Sequence, residues 1–174
     1  MADRNPISAT NLDRYGHAPL PWSRAHDQLT AGVPGMETHF YLSTTSPDGR
    51  PHATGVGALW YDGDLYFTSN PDTRKSRNLA RNPAAAIAVY FPGIDLIFEG
   101  EARRTTDPTQ LEAVATLFRE SGWPAQIEGD AITAPYSAPS AGPPPWQLYR
   151  FVFDTVVGIT TEEPYGATRW QFAR

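Results

Sequence analysis

Residues 64–83 read "DLYFTSNPDTRKSRNLARNP", and this stretch decides how the rest of the chain is understood. An alternating apolar strand ends at Phe67, Thr68 and Ser69, and a short turn follows. Thr73 or Asp72 caps a helix that Pro83 must end, because proline cannot continue it. Four cations, Arg74, Lys75, Arg77 and Arg81, fall within eight residues of a chain whose formal net charge is −5. A helix N-terminus offers unpaired N–H groups and partial positive charge, which suits a phosphate. Hydroxyls of Thr68, Ser69 and Ser76 and the cations Arg74 and Lys75 would complete such a site. The competing expectation is a solvated helix face whose cations serve nothing but solubility.

Upstream, "HFYLSTTS" reads as a strand and "PDGRP" as a hairpin turn whose Asp-Gly supplies positive φ. "HATGVGALW" returns as a second strand. Gly55 and Gly57 inside it mark a bulge or the close approach of a ligand. "YDGD" turns the chain into the third strand, "LYFTS". Downstream, "AAAIAVYF" and "DLIFEGEARRT" are two more strands around "PGI". A helix then begins with Asp107 as cap, Pro108 in the first position and Gln110 completing a capping-box pattern, and Gly122 stops it. The run "APYSAPSAGPPPW" is irregular, since proline removes donors and fixes φ, and its aromatics Tyr136 and Trp146 imply that it packs on something. "QLYRFVFDTVVGI" is the last long strand, and "GATRWQFAR" is a tail expected to be ordered beside the pocket. Hairpin-ordered strands with inserted helices predict a small antiparallel barrel, a mainly β, α+β chain. Residues 1–37 are read as an N-terminal arm with at most one helix, near residues 21–31, and residues 38–174 as the single barrel domain.

The 174 residues suffice for one domain with a real core. A composition 40% hydrophobic and 19% charged is ordinary for a globular protein. No apolar run reaches the ~20 residues that span a bilayer, and the first residues lack the apolar stretch of a secretory signal. With no cysteine there is neither disulfide nor thiolate chemistry, so a cytoplasmic location is expected. An isoelectric point near 5.3 speaks against a nucleic-acid partner, which needs a broad basic face. The local cations should therefore serve something small and anionic. His17, His26, His39 and His52 are scattered without metal-ligand spacing, so no metal is expected. Ser137 and Ser140 lack the setting of a nucleophile elbow, and no carboxylate pair is spaced for acid–base work. No side chain is assigned a catalytic role, and a bound cofactor is left to carry the chemistry.

"LYFTSNPDTRKSRNLARNPAAAIAVYF" resembles the signature of the pyridoxamine 5′-phosphate oxidase-like family, the FMN-binding split β-barrels. The aromatic–Thr pair Phe67-Thr68, then Arg74-Lys75, then Asn82-Pro83 and an apolar strand stand in the family's order. The resemblance spans about residues 38–172 and implies a six-stranded antiparallel Greek-key split barrel. It also implies a homodimer with cofactor sites at the interface. Thr68, Arg74 and Lys75 match family residues that contact the FMN phosphate, and Arg169 falls near a C-terminal cofactor-contacting arginine. The family's second-strand Arg and Lys are missing, with His52 and Gly57 roughly there, and a glutamine of the later strand is replaced at about Asp95. Lys75 with Arg77-Asn78-Leu79 is similar instead to the deazaflavin branch, whose members use coenzyme F-420.

These likenesses imply an oxidoreductase that passes hydride between F-420 or FMN and a small organic substrate. The alternatives are a non-catalytic flavin- or deazaflavin-binding protein for storage or sensing, and a pyridoxamine 5′-phosphate oxidase. The expected cofactor-binding set is Phe67, Thr68, Ser69, Arg74, Lys75, Ser76, Gly55, Gly57, Trp146, Arg169 and Trp170. Within it the glycines leave room for a flat ring, and Trp146, Arg169 and Trp170 close the pocket.

Overall fold

The structure, a computed structural model, describes residues 4–31 and 38–173. In chain order the elements are β1 (Ser8–Asn11), α1 (Ser23–Thr30), β2 (Phe40–Thr45), β3 (Pro51–Val56), β4 (Ala58–Tyr61), β5 (Asp64–Ser69) and α2 (Arg74–Arg81). Then follow β6 (Ala84–Phe91), β7 (Ile94–Thr105), α3 (Pro108–Glu120), β8 (Gln126–Glu128), β9 (Ala131–Thr133), β10 (Gln147–Thr160) and β11 (Ala167–Gln171).

The strand expected over "HATGVGALW" bends at Gly57 into β3, which pairs with β2, and β4, which pairs with β5. That bend closes the barrel. Its antiparallel ring runs through β2, β6, β7, β10 and β5, and the halves β4 and β3 together make the sixth strand. Along one edge β10 is shared: residues 147–151 pair with β5, and residues 155–159 pair with β11. The hand-over comes at a register shift between Phe153 and Thr155. The six-stranded split barrel read from the sequence is the observed fold. Asp62 and Gly63, with φ of 49° and 85°, make the tight β4–β5 hairpin that "DG" requires.

Alternation along the strands sends Phe40, Leu42, Ile87, Val89, Leu96, Phe98 and Phe151 into one core inside the barrel. Each such side chain contributes about 1.5–3 kcal/mol of transfer free energy. A second cluster forms outside, where α3 lays Leu111, Val114, Ala115 and Phe118 over Leu59, Tyr66 and Leu148. Asp107 caps α3, its Oδ1 accepting from Thr109 N at 2.8 Å. The capping box does not close as expected, because the Gln110 Oε1 accepts from Thr105 Oγ1 instead. At the other end Gly122 has φ +93°, and Trp123 N donates back to Phe118 O, so the helix stops where glycine was read. Asp107→Ala should lower stability by about 1 kcal/mol, visible as a fall in the urea midpoint.

Three elements depart from the sequence reading. The N-terminal stretch holds the expected helix, but it also supplies β1, which pairs with β11, and α1 buries Ala25 and Leu29 in the barrel core. Arg4 reaches across to Asp64 at 3.0 Å and to the carbonyl of Ala173 at 2.6 Å. The tail is the second departure. It is ordered, as β11, yet Trp170 and Phe172 pack on Trp22 at ring distances of 5.3 and 4.8 Å, inside the core and not beside a pocket. A segment of 3 + 3 residues, β8 and β9, forms a hairpin that no residue pattern announced.

Candidate functional site

The four cations of the opening stretch go separate ways. Thr73 caps α2, accepting from Ser76 N. Arg74 is exposed and donates from Nη2 to Ser46 Oγ at 2.8 Å, in the β2–β3 turn. Arg77 folds back on the carbonyl of Asp72, and Arg81 ends the helix in solvent. Lys75 alone turns inward. With Asn78 and Leu79 it occupies the buried helix face, and it is 5% exposed. Among the described residues its ammonium has no hydrogen-bond or ion-pair partner, and burial holds its proton affinity below the ordinary lysine range. A buried cation without an anion is costly unless something charged completes it.

Lys75 faces a groove of about 480 Å³, within the usual range for small-ligand sites. Its floor is the β3–β4 bend, Gly55 to Leu59, with Thr68 and Lys75 at one side. A Cβ built on Gly55 or Gly57 meets nothing within 4 Å, so both positions open onto empty space. The lining is continued by Phe118, Ser121, Trp123 and Tyr136 and by the loop of residues 137–141. His52, one strand turn from the bend, is held below its ordinary value by burial and by the charges of Arg74 and Lys75. The groove is thus electropositive at Lys75, and Trp123 and Tyr136 add aromatic surface to its lining. Among the described residues no His, Cys, Asp or Glu cluster could hold a metal.

The structure brings Gly55, Gly57, Thr68 and Lys75 together around this groove. The other residues of the expected set lie elsewhere. Ser69 and Ser76 are buried, and their hydroxyls close a triangle with Thr73 Oγ1 at 2.8, 2.9 and 3.0 Å. Phe67 is a core residue stacked on Tyr149 at 5.2 Å. Trp146 is buried, its Nε1 donating to Gly142 O at 3.0 Å. Trp170 does not reach the groove: it is 1% exposed, over Gly158, where an added Cβ would lie 2.6 Å from its ring. Arg169 is exposed on the outward face of β11. Asp95 likewise lies on β7, paired with Tyr90 and Ile159, outside the groove lining. The groove's far wall was missed, although Tyr136 and the proline-rich loop had been read as packing on something.

A family model described as Pyridoxamine 5′-phosphate oxidase matches residues 27–156. The chain is 28% identical, over 180 aligned positions, to a pyridoxine/pyridoxamine 5′-phosphate oxidase of Burkholderia multivorans, covering 90% of this chain and 83% of that one. Among solved structures, a heme binding protein from Mycobacterium smegmatis superposes with a TM-score of 0.59 at 15% identity, over 87% of this chain and 58% of that one. An F420 reductase superposes with a TM-score of 0.52 at 22% identity, over 75% and 94%. At these identities the two structures share the fold with this chain. No described helix is long and apolar enough to cross a membrane.

Proposed function

The chain belongs to the pyridoxamine 5′-phosphate oxidase family, and from that premise we propose a flavin- or deazaflavin-dependent oxidoreductase that uses F-420 or FMN on a small organic substrate. The observation that carries the proposal is Lys75, a lysine 5% exposed that lines a groove of cofactor size and has no anion beside it among the described residues. The residues present fit such a group. Lys75 would hold its phosphate as a point charge, and the Thr68 side chain, which also lines the groove, could add a hydroxyl. Gly55 and Gly57 leave a bare floor for a flat ring, and Trp123 and Tyr136 shield that ring from water. When bound, the cofactor supplies the hydride-transfer chemistry.

The test is to titrate FMN and F-420 into the protein, then mix the reduced complex anaerobically with candidate acceptors. Reoxidation by an acceptor faster than by air supports an oxidoreductase. Binding with reoxidation only by air makes it a carrier or sensor. A Cβ at Gly57 meets no protein atom within 4 Å, so Gly57→Leu starts its side chain in open space and should abolish cofactor binding while leaving the melting temperature within about 2 °C.

The same reading includes a homodimer. At one register across the sheet, Gly55, Tyr41, Ala88, Ile97, Val157 and Arg169 stand in line on the outward face. This largely apolar row starts at the groove floor, Tyr41 being 54% exposed, and suits an isologous two-fold contact. Arg169 follows Val157 in the row, with Thr10 of β1 beyond it, so a two-fold partner would bring a cation toward the Gly55 edge. Ala88→Arg places a charge at the row's centre and should yield monomer by sedimentation at micromolar concentration. A dimer that survives it contradicts this face.

A further inference from the structure

The geometry points to Asn70 as a positioning residue that clamps the groove's loop wall to the turn presenting Lys75, and so sets the width available to the cofactor. This rests on the cofactor reading above. Asn70 is 6% exposed and hydrogen-bonds both to the turn and to the loop. Toward α2, its Oδ1 accepts from Asp72 N at 2.8 Å, and its carbonyl accepts from Thr73 N at 3.2 Å, which shapes the turn five residues before Lys75. Toward the loop, its Nδ2 donates to Pro143 O at 2.7 Å, and its backbone N donates to Ala141 O at 3.4 Å. One side chain therefore holds both partners at once.

The loop comes close enough to make the clamp specific. Gly142 has φ +76°, and a Cβ there would lie 2.9 Å from Asn70 Cβ, so only glycine lets the backbone approach. Trp146 fixes the next carbonyl contact, its Nε1 donating to Gly142 O. Ser137, Ala138 and Ala141, all groove-lining, lie on the loop that this clamp anchors. The Pro143 carbonyl is an acceptor, so the clamp needs an amide donor opposite it. An aspartate would keep the contact to Asp72 N and lose the one to Pro143 O.

That asymmetry makes Asn70→Asp the test. Titrations of FMN and F-420 into the variant should show affinity reduced about tenfold, the effect of one lost hydrogen bond between the walls. Inorganic phosphate, used alone as the probe of Lys75, should bind as in the wild type, because the turn is kept. Hydrogen exchange should quicken over residues 134–143 and not over α2. Gly142→Ala, which pushes on the clamp from the loop side, should reproduce this pattern if Asn70→Asp folds poorly. Unchanged cofactor affinity overturns the assignment, and so does an equal loss for phosphate, which would place the effect in the turn. If the wild type binds neither cofactor, the cofactor reading fails by itself. The exchange data then judge the clamp, and unaltered exchange over residues 134–143 overturns it.

Discussion

Lys75→Met should weaken cofactor binding by about tenfold to hundredfold, the 1.5–3 kcal/mol of a charge-assisted bond. The same variant should be as stable as the wild type or more so. Methionine matches the lysine stem and removes a buried charge that no described residue neutralises. Binding and stability thus move in opposite directions, which a structural role for Lys75 cannot produce. The pH dependence has a definite sign. Burial lowers the folded-state proton affinity of Lys75 below that of the unfolded chain, so the unfolded chain holds the proton more tightly in the window below the ordinary lysine value of 10.5. The destabilisation is complete at neutral pH and fades as pH rises through that window, so the stability gap to Lys75→Met should narrow there. Arg74→Ala and Arg81→Ala should change affinity little, since neither lines the groove: Arg74 turns its Nη2 to Ser46 and Arg81 lies at the helix end. Titrations of FMN and F-420 into the three variants, paired with urea melts, read both effects.

Trp170→Ala should cost about 3–5 kcal/mol of stability and leave cofactor affinity of the folded protein unchanged. Its ring is wedged against Trp22 and rests on Gly158, so truncation opens a cavity where β11 meets α1. A loss of affinity larger than the loss of stability would return Trp170 to the groove.

Strand alternation, the two Asp-Gly turns and the helix caps are local signals, and they made a small antiparallel barrel legible in the sequence; its six-stranded split form came from the family resemblance. Where Gly57 divides one strand into β3 and β4, the sequence showed a glycine but not the bend, because closure depends on partners far along the chain. Lys75 was legible as one of four cations. Which of them turns inward depends on which face of α2 packs on the barrel, the face carrying Leu79 into the core and Asn78 onto Thr44, and that is set by packing. Ser69 and Ser76 looked like phosphate ligands because hydroxyls near a helix start are ambiguous. In the fold they satisfy each other and Thr73. Trp170 looked like an aromatic too costly to expose without purpose, and its purpose is the core. The wall from Trp123 to Ala141 was hidden because irregular, proline-rich chain carries no periodicity from which a facing surface can be read.

The central claim is that this groove takes the phosphate of a flavin or deazaflavin at Lys75. Its most direct test is an equilibrium titration of the wild-type protein with FMN and with F-420, repeated in inorganic phosphate. At least one of the two should saturate a single site per chain, and phosphate should compete with it. If neither saturates, or if phosphate leaves the binding unchanged, the claim is wrong.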